Sequence, residues 1–186
     1  MILLFVLLLA LIVGLIRGGT LERLGDVDIR QGGWALLALL AQSVLVYGPW
    51  LDRETTRGIA VGLMLLSYLP LIAFVAQNRH LAGIRVAGLG LLMNLAVIAA
   101  NGGYMPTSPE TLQRLGYDPN AIAVGQRFLR SKDMILERQD TRLWLLSDIG
   151  VTPAWLPWRF VFSVGDVVLA GGVFILVQKA MLGPGT

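Results

Sequence analysis

Five long apolar stretches, separated by polar segments, constrain this chain more than any other feature of its sequence. The first covers residues 1–16 without a single charged side chain, and the others cover about 33–51, 58–77, 86–100 and 160–180. A helix needs about 20 apolar residues to cross the hydrocarbon core of a bilayer. The pattern predicts an all-α polytopic membrane helix bundle of about five transmembrane helices. We expect residues 1–186 to form a single membrane domain with one long loop, 101–159.

Composition agrees with a lipid environment and excludes several classes of site. The chain is 55% hydrophobic and 15% charged, whereas soluble domains carry about 45–50% apolar and 25% charged residues. It has no cysteine and one histidine, so thiolate metal sites, iron–sulfur clusters and cysteine nucleophiles are excluded. We predict no metal and no cofactor. The basic residues are scattered rather than arranged in a stripe, which argues against a nucleic-acid partner.

Small residues on two of the predicted spans indicate where helices approach each other. Span four carries Gly83, Gly88 and Gly90, and span five carries Gly165 and the run 170–172. Such faces let membrane helices pack closely. These small-residue faces fit contact with a membrane protein partner or with a second copy in a homo-oligomer equally well. We also expect the spans to contact membrane lipid. In span two, Gln42 and Ser43 are predicted to make hydrogen bonds between helices rather than to bind a ligand.

The long loop contains signals for short helices. Ser108-Pro109 and Asp118-Pro119 are both typical helix starts, and Gly116 is a typical helix end. The apolar periodicity of residues 121–135 predicts a further helix, lying on the bilayer surface or packed on the bundle. Two tryptophans, Trp155 and Trp158, are expected to anchor the chain at the membrane interface.

The distribution of basic residues near the span ends predicts the orientation. Two short loops and the end of span five carry most of these bases, which are Arg17, Arg23, Arg30, Arg79, Arg85 and Lys179. Bases flanking spans favour the cytoplasmic side, and long loops count little. We therefore predict that the N-terminus and the long loop lie outside and the C-terminus lies in the cytoplasm.

Several phrases resemble a known bacterial family from one end of the chain to the other. They are GLIRGG at 14–19, NRHLAGI at 78–84, GLGLLMNLAVIAANGGYMPTS at 88–108, LWLLSDI at 143–149 and FSVGDVVLAGGVFILVQ at 162–178. Together they resemble the membrane-protein family known as domain of unknown function 5317. The resemblance implies a multi-span protein of the bacterial cytoplasmic membrane and no particular activity. Where the family pattern reads Leu-Gly-Asp, this chain has Leu146-Ser147-Asp148.

Asn94 and Asn101 lie seven residues apart and so share one face of span four. Gly102 and Gly103 follow, and they can adopt the left-handed conformation that closes a helix. The segment is interpreted first as a structural cap. The alternative is a polar pocket lined by these four residues, with bare glycine backbone as its floor.

Asp166 is the one acidic residue inside a predicted span. It fits a capping box, in which Ser163 is the N-cap and Asp166 is the third helical residue. An ionisable residue in a span is also a candidate functional residue, so Asp166 joins the predicted ligand-binding set. With Asp148 it forms a possible carboxylate pair for acid/base hydrolysis.

Three hypotheses about function follow from these residues. The first is a protein that binds a small molecule or lipid near the outer ends of spans four and five, through Asn94, Asn101, Gly102, Gly103 and Asp166. The second is an accessory subunit of a larger membrane complex. The third is a hydrolase at the membrane face that uses Asp148 and Asp166. The sequence favours a role other than enzyme catalysis.

Overall fold

A computed structural model describes residues 2–50, 54–129, 131–156 and 158–183. Within these ranges the chain is mostly helical, as predicted. The helices are α1 (Ile2–Ile16), α2 (Glu22–Gly25), α3 (Gly32–Tyr47), α4 (Glu54–Leu66), α5 (Tyr68–Gln77), α6 (Ile84–Ala100), α7 (Pro109–Leu115) and α8 (Val164–Leu182).

All five apolar segments form helices, but their lengths differ from what five membrane spans would require. In the described ranges, two helical stretches, Thr55–Gln77 and α8, are long and apolar enough to cross a membrane. The other three, α1, α3 and α6, are apolar helices of 15, 16 and 17 residues. Helix formation is therefore confirmed for every segment, while the crossing of a bilayer by all five remains a prediction.

The third apolar segment is interrupted at Ser67, which separates α4 from α5. Pro70 has no backbone N–H to donate to the carbonyl of Leu66, and its ring disfavours a regular turn before it. Next to this break, the Ser67 hydroxyl donates to the carbonyl of Met64 at 2.6 Å. The chain therefore continues in the same segment as two helices rather than as one.

Glycines bring α6 and α8 into backbone contact. A Cβ atom at Gly90 would collide with the backbone of Leu169, and one at Gly172 would collide with the backbone of Ala87. The close approach predicted for these glycines is confirmed, whereas Gly171 faces open space. Because only backbone separates the two helices, α6 fixes the position of the start of α8.

The remaining helices extend this pair into an arc. α8 packs against α6 on one side and α1 on the other, while α5 packs against α6 and α3. Between α1 and α8, the Gln178 amide donates to the carbonyl of Ala10 at 2.6 Å, and Arg17 donates to the Gln178 oxygen at 3.0 Å. α1 and α3 are the ends of the arc and have no extensive interface with each other in the described ranges.

The outward faces of these helices are apolar. On α1, Leu4, Leu8 and Ile12 recur every four residues and are each more than half exposed. On α3, Leu36 and Leu40 repeat the pattern. Exposed apolar faces of this extent need an apolar environment or a partner to cover them.

The long loop folds over one end of the bundle. Helix α7 begins as predicted, since the Ser108 hydroxyl accepts from the Thr111 N–H at 3.2 Å, and it ends at Gly116. Two small sheets were not predicted, because strands of two or three residues are too short to show a periodicity. In the described ranges these sheets pair β1 (Met105–Thr107) with β2 (Asp133–Ile135) in parallel, and β3 (Gly150–Val151) with β4 (Val161–Phe162) in antiparallel.

The helix predicted over residues 121–135 is wrong. A single turn of 3-10 helix, Pro119–Ala121, is followed by turns and by strand β2. Gly125 adopts a positive φ of 84°, and its N–H donates to the carbonyl of Ile135 at 2.8 Å. The chain therefore reverses direction within this segment, so that its apolar residues do not lie along one helical face.

Candidate functional site

The start of α8 is fixed by the predicted capping box, which the structure confirms. The Asp166 N–H donates to the Ser163 hydroxyl at 2.9 Å, and the Ser163 N–H donates to the Asp166 carboxylate at 3.2 Å. Two of the N–H groups that a helix leaves without a partner are thereby satisfied. The carboxylate also gains from its position at the positive end of the helix dipole.

Asn94 of α6 ties this capping box to the neighbouring helix. Its side-chain N–H donates to Asp166 at 2.6 Å, and its side-chain oxygen accepts from the Ser163 hydroxyl at 2.9 Å. Gly165 leaves room for this amide, because a Cβ at that position would overlap the Asn94 oxygen. Two of the predicted site residues, Asn94 and Asp166, are thus in direct contact.

A cavity of about 530 Å³ opens beside this network, between the bundle and the long loop. Its polar wall combines residues of α3, α5, α6 and α8 with residues of the loop. This wall consists of Gln42, Tyr68, Asn94, Ser131, Lys132, Asp133, Asp148, Arg159 and Asp166. Its apolar wall consists of Ile2, Leu3, Leu71, Leu91, Leu115, Tyr117, Phe128, Leu129, Phe160, Val161 and Leu169. Both members of the proposed carboxylate pair, Asp148 and Asp166, line the cavity.

Asp148 is the most deeply buried carboxylate of the cavity, with 4% of its surface exposed. Its backbone is held against β1, since its N–H donates to the carbonyl of Pro106 at 3.0 Å. Its side-chain oxygen Oδ1 is buried and has no hydrogen-bond partner in the described part of the chain. Buried polar atoms are nearly always paired with protein, water or ligand.

Gln42 supplies the complementary group. Its amide nitrogen Nε2 is likewise buried without a hydrogen-bond partner among the described residues. This nitrogen therefore does not make the interhelical hydrogen bond predicted for Gln42 within the described residues. The one predicted for Ser43 is wrong, because its hydroxyl donates to Leu39 within α3 at 2.7 Å. Within the described part of the chain, the cavity wall thus has one unpaired acceptor, Asp148 Oδ1, and one unpaired donor, Gln42 Nε2.

Charge is concentrated where the loop meets the cavity. Burial raises the pKa of Asp148 well above its usual value, and the nearby carboxylates of Asp133 and Asp166 raise it further, against the opposing effect of Lys132. Burial also raises the pKa of Asp133. Both shifts favour the protonated acid.

The same surroundings also raise the pKa of Lys132, but for a different reason. Burial by itself would lower its pKa, but the phenol of Tyr68 and the carboxylates of Asp133, Asp166 and Asp148 outweigh burial, so that the net shift is upward. The lysine therefore stays positively charged, and the cavity holds an ammonium group beside acids that take up protons readily.

Lys132 and Asp133 were not predicted as site residues. Strand β2 places Asp133 beside Met105 of β1, and the Ser131 hydroxyl donates to the Asp133 carboxylate at 2.9 Å. The sequence holds little to identify them, since the apolar periodicity of residues 121–135 predicts a helix that lies on the bilayer surface or packs on the bundle. Their convergence with Asp148 depends on long-range strand pairing.

Asn101, Gly102 and Gly103 do not line this cavity. The Asn101 side chain accepts from the N–H of Arg142 at 2.9 Å and donates to its carbonyl at 2.9 Å, which holds the loop against the end of α6. The two glycines adopt positive φ angles of 69° and 92°. The Gly103 N–H donates to the carbonyl of Ile98 at 2.8 Å, as expected for the structural cap.

Ser147 lies in extended backbone with φ −77° and ψ −178°, a conformation that does not require glycine. In the described ranges, no group of three or more histidine, aspartate or glutamate side chains is arranged to hold a metal ion.

Comparison with known proteins gives the family of this chain. The model of a family described as "Family of unknown function (DUF5317)" matches residues 26–178, and the chain belongs to this family. An uncharacterized protein of Thermotoga maritima is 32% identical over 115 residues. The alignment covers 61% of each protein, so that the chain spans about three fifths of its relative's length. No solved structure matches the chain.

Proposed function

We propose that this DUF5317 protein is an integral membrane protein that binds a small amphiphilic molecule, such as a lipid, in the cavity beneath its long loop. The observation that carries the proposal is the unpaired Asp148 Oδ1, buried in the wall of that cavity. A buried acceptor without a partner costs about 1–3 kcal/mol. A bound molecule that donates to Asp148 removes this cost and so gains affinity.

The membrane location rests on the apolar helices. Thr55–Gln77 and α8 have the length and composition of membrane spans. The exposed apolar faces of α1 and α3 would be covered by lipid, and Trp155 and Trp158, which are 79% and 65% exposed, fit anchors at the interface. We propose the bacterial cytoplasmic membrane, with five crossings, the N-terminus and the loop outside, and the C-terminus in the cytoplasm.

The amphiphilic character of the ligand follows from the two walls of the cavity. Carboxylates, an ammonium and an amide form one wall, and leucine, isoleucine and aromatic side chains form the other. Ile2 and Leu3 of α1 and Gln42 of α3 line the cavity from the two ends of the helix arc. A molecule with an acyl chain can enter between these ends and leave its chain in the bilayer.

Native mass spectrometry of the full chain, released from its own membrane in mild detergent, tests the proposal. We expect a low-mass adduct that survives in Asp140→Asn, an exposed loop position, and is lost in Asp148→Asn. A wild-type protein without any adduct, after release under conditions that retain lipids on other membrane proteins, would contradict it. Stoichiometric release with other proteins would favour an accessory subunit instead.

A second candidate, hydrolysis at the membrane face, is favoured by one observation. Asp148 and Asp166 line the same cavity, and the pKa of Asp148 is raised, as expected for the acid of a carboxylate pair. The accumulation of a cleaved lipid or peptide by the wild type, and its absence with Asp166→Asn, would support catalysis over simple binding. An adduct recovered intact from the wild type would argue against it.

A further inference from the structure

The hydrogen bonds of the three cavity carboxylates show which of them is free to take a ligand. Both oxygens of Asp166 already accept, one from Asn94 and the other from the Ser163 N–H. Asp133 accepts from the Ser131 hydroxyl. Asp148 Oδ1 accepts nothing in the described part of the chain. The position at which a ligand donor is needed is therefore Asp148.

The charges of the cavity wall indicate the charge of that donor. Asp133, Asp148 and Asp166 carry three negative charges when ionised, while Lys132 and Arg159 carry two positive charges. Among the described residues that line the cavity, one excess negative charge remains. A buried charge is stable only when it is paired, so that a proton on Asp133 or Asp148, or a monovalent cation, must supply the balance.

We infer that the ligand of this cavity carries a primary ammonium group, which donates a hydrogen bond to Asp148 Oδ1. The inference rests on the proposed function and specifies its ligand class. An ammonium brings both the missing donor and the missing positive charge, whereas a hydroxyl brings only the donor and a quaternary ammonium only the charge. The Gln42 amide then donates to an oxygen of the same headgroup.

Ammonium binding should replace a proton on Asp148. Burial raises the pKa of Asp148 and so favours its neutral form in the empty cavity. When the ammonium arrives, Asp148 becomes a carboxylate and its proton leaves to solvent. Asp133, Asp166, Lys132, Arg159 and the Tyr68 phenol face the same space, and their charges set the pH at which the exchange occurs. Affinity should therefore rise with pH until the amine itself loses its proton.

The test compares headgroups on one acyl chain. Delipidated wild-type protein in detergent is titrated with dioleoyl phosphatidylethanolamine, phosphatidylcholine or phosphatidylglycerol, and binding is read by native mass spectrometry and by thermal unfolding. We expect phosphatidylethanolamine to bind about tenfold more tightly or better, as loss of one hydrogen bond to a charged group predicts. Asp148→Asn should remove this preference, and Asp140→Asn should keep it.

The outcomes separate the inference from the proposed function. Phosphatidylethanolamine and phosphatidylcholine binding equally, or a preference for phosphatidylglycerol, would overturn the ammonium assignment while leaving a lipid site in place. Binding of none of the lipids, and none of free ethanolamine, would overturn both. Ethanolamine binding as tightly as its lipid would support the ammonium and identify a soluble amine as the source.

Discussion

Asn94 of α6 donates a 2.6 Å hydrogen bond to the carboxylate of Asp166 in the first turn of α8. The sequence offers two alternative roles for Asp166, a helix cap and a ligand-binding residue, and the structure is compatible with both. The residue caps a helix, and it also lies in the wall of a cavity. The cap fixes the carboxylate in place, and Asn94 links it to the helix on which α8 packs.

Asn94→Ala tests the strength of this link. The substitution leaves the Ser163 hydroxyl and one Asp166 oxygen without their partner in a buried setting, so that we expect a loss of about 1–3 kcal/mol in the free energy of unfolding. Chemical denaturation in detergent measures it. Asn120→Ala, at an exposed loop position, is the control, and equal stabilities of the two variants would show that the Asn94 network is not structural.

Adjacent glycines of α8 provide a matched test of helix packing. In Gly172→Ala the new Cβ meets the backbone of Ala87, so that α6 and α8 must separate, at a cost of about 1–3 kcal/mol. In Gly171→Ala the Cβ meets open space, and the better helix propensity of alanine makes the change neutral or stabilising by up to about 1 kcal/mol. Thermal unfolding of both variants checks the order, and the reverse order would contradict the packing described.

The raised pKa of Asp148 predicts how stability depends on pH in the absence of ligand. Between the ordinary aspartate value of 3.8 and the raised value, the folded protein binds more protons than the unfolded chain. Stability must therefore fall as pH rises through that window. We expect the denaturation midpoint to be higher at about pH 5 than at about pH 8.

Asp148→Asn provides the control for this dependence, since asparagine does not titrate. The variant should lose part of the slope, while Asp133, whose pKa is also raised, keeps the remainder. A slope unchanged by Asp148→Asn, or a wild-type midpoint that rises with pH over this range, would contradict the burial of an unpaired acid at Asp148.

The absence of cysteine allows a clean test of orientation. Thr20→Cys and Gln139→Cys place single thiols at exposed positions, one beyond the end of α1 and the other in the long loop. With the loop outside, a membrane-impermeant maleimide should label Gln139→Cys in intact cells and label Thr20→Cys only after lysis. The reverse result would invert the proposed topology, and labelling of both in intact cells would contradict the odd number of membrane crossings proposed between the two positions.

Helices and caps were predictable because their signals are local. The apolar runs predict α1, α3, α6 and α8 close to their observed positions. The capping box is equally local, because Ser163 and Asp166 are only three residues apart in the sequence. Close packing at Gly90 and Gly172 was also expected from small residues alone. Each of these features depends on neighbours in the sequence or on a face of one helix.

The sequence predicts only some of the residues that line the cavity, because the cavity is formed by contacts between segments that are distant in the sequence. Asn94 and Asp166 stood out as polar residues in apolar helices. Lys132 and Asp133 reach the cavity through the pairing of β2 with β1, and a strand of three residues carries no usable periodicity. Asn101 was grouped with Asn94 by helical spacing, yet its side chain turns to the loop at Arg142.

Carbodiimide labelling tests the central claim, a buried neutral acid in a ligand cavity, most directly. Dicyclohexylcarbodiimide is apolar and reacts with protonated carboxyl groups, and peptide mass spectrometry locates the adduct. We predict that Asp148 is protected in native membranes and becomes reactive after delipidation, while exposed Asp140 stays unmodified in both. An Asp148 that reacts equally before and after delipidation, or in neither state, would contradict the account.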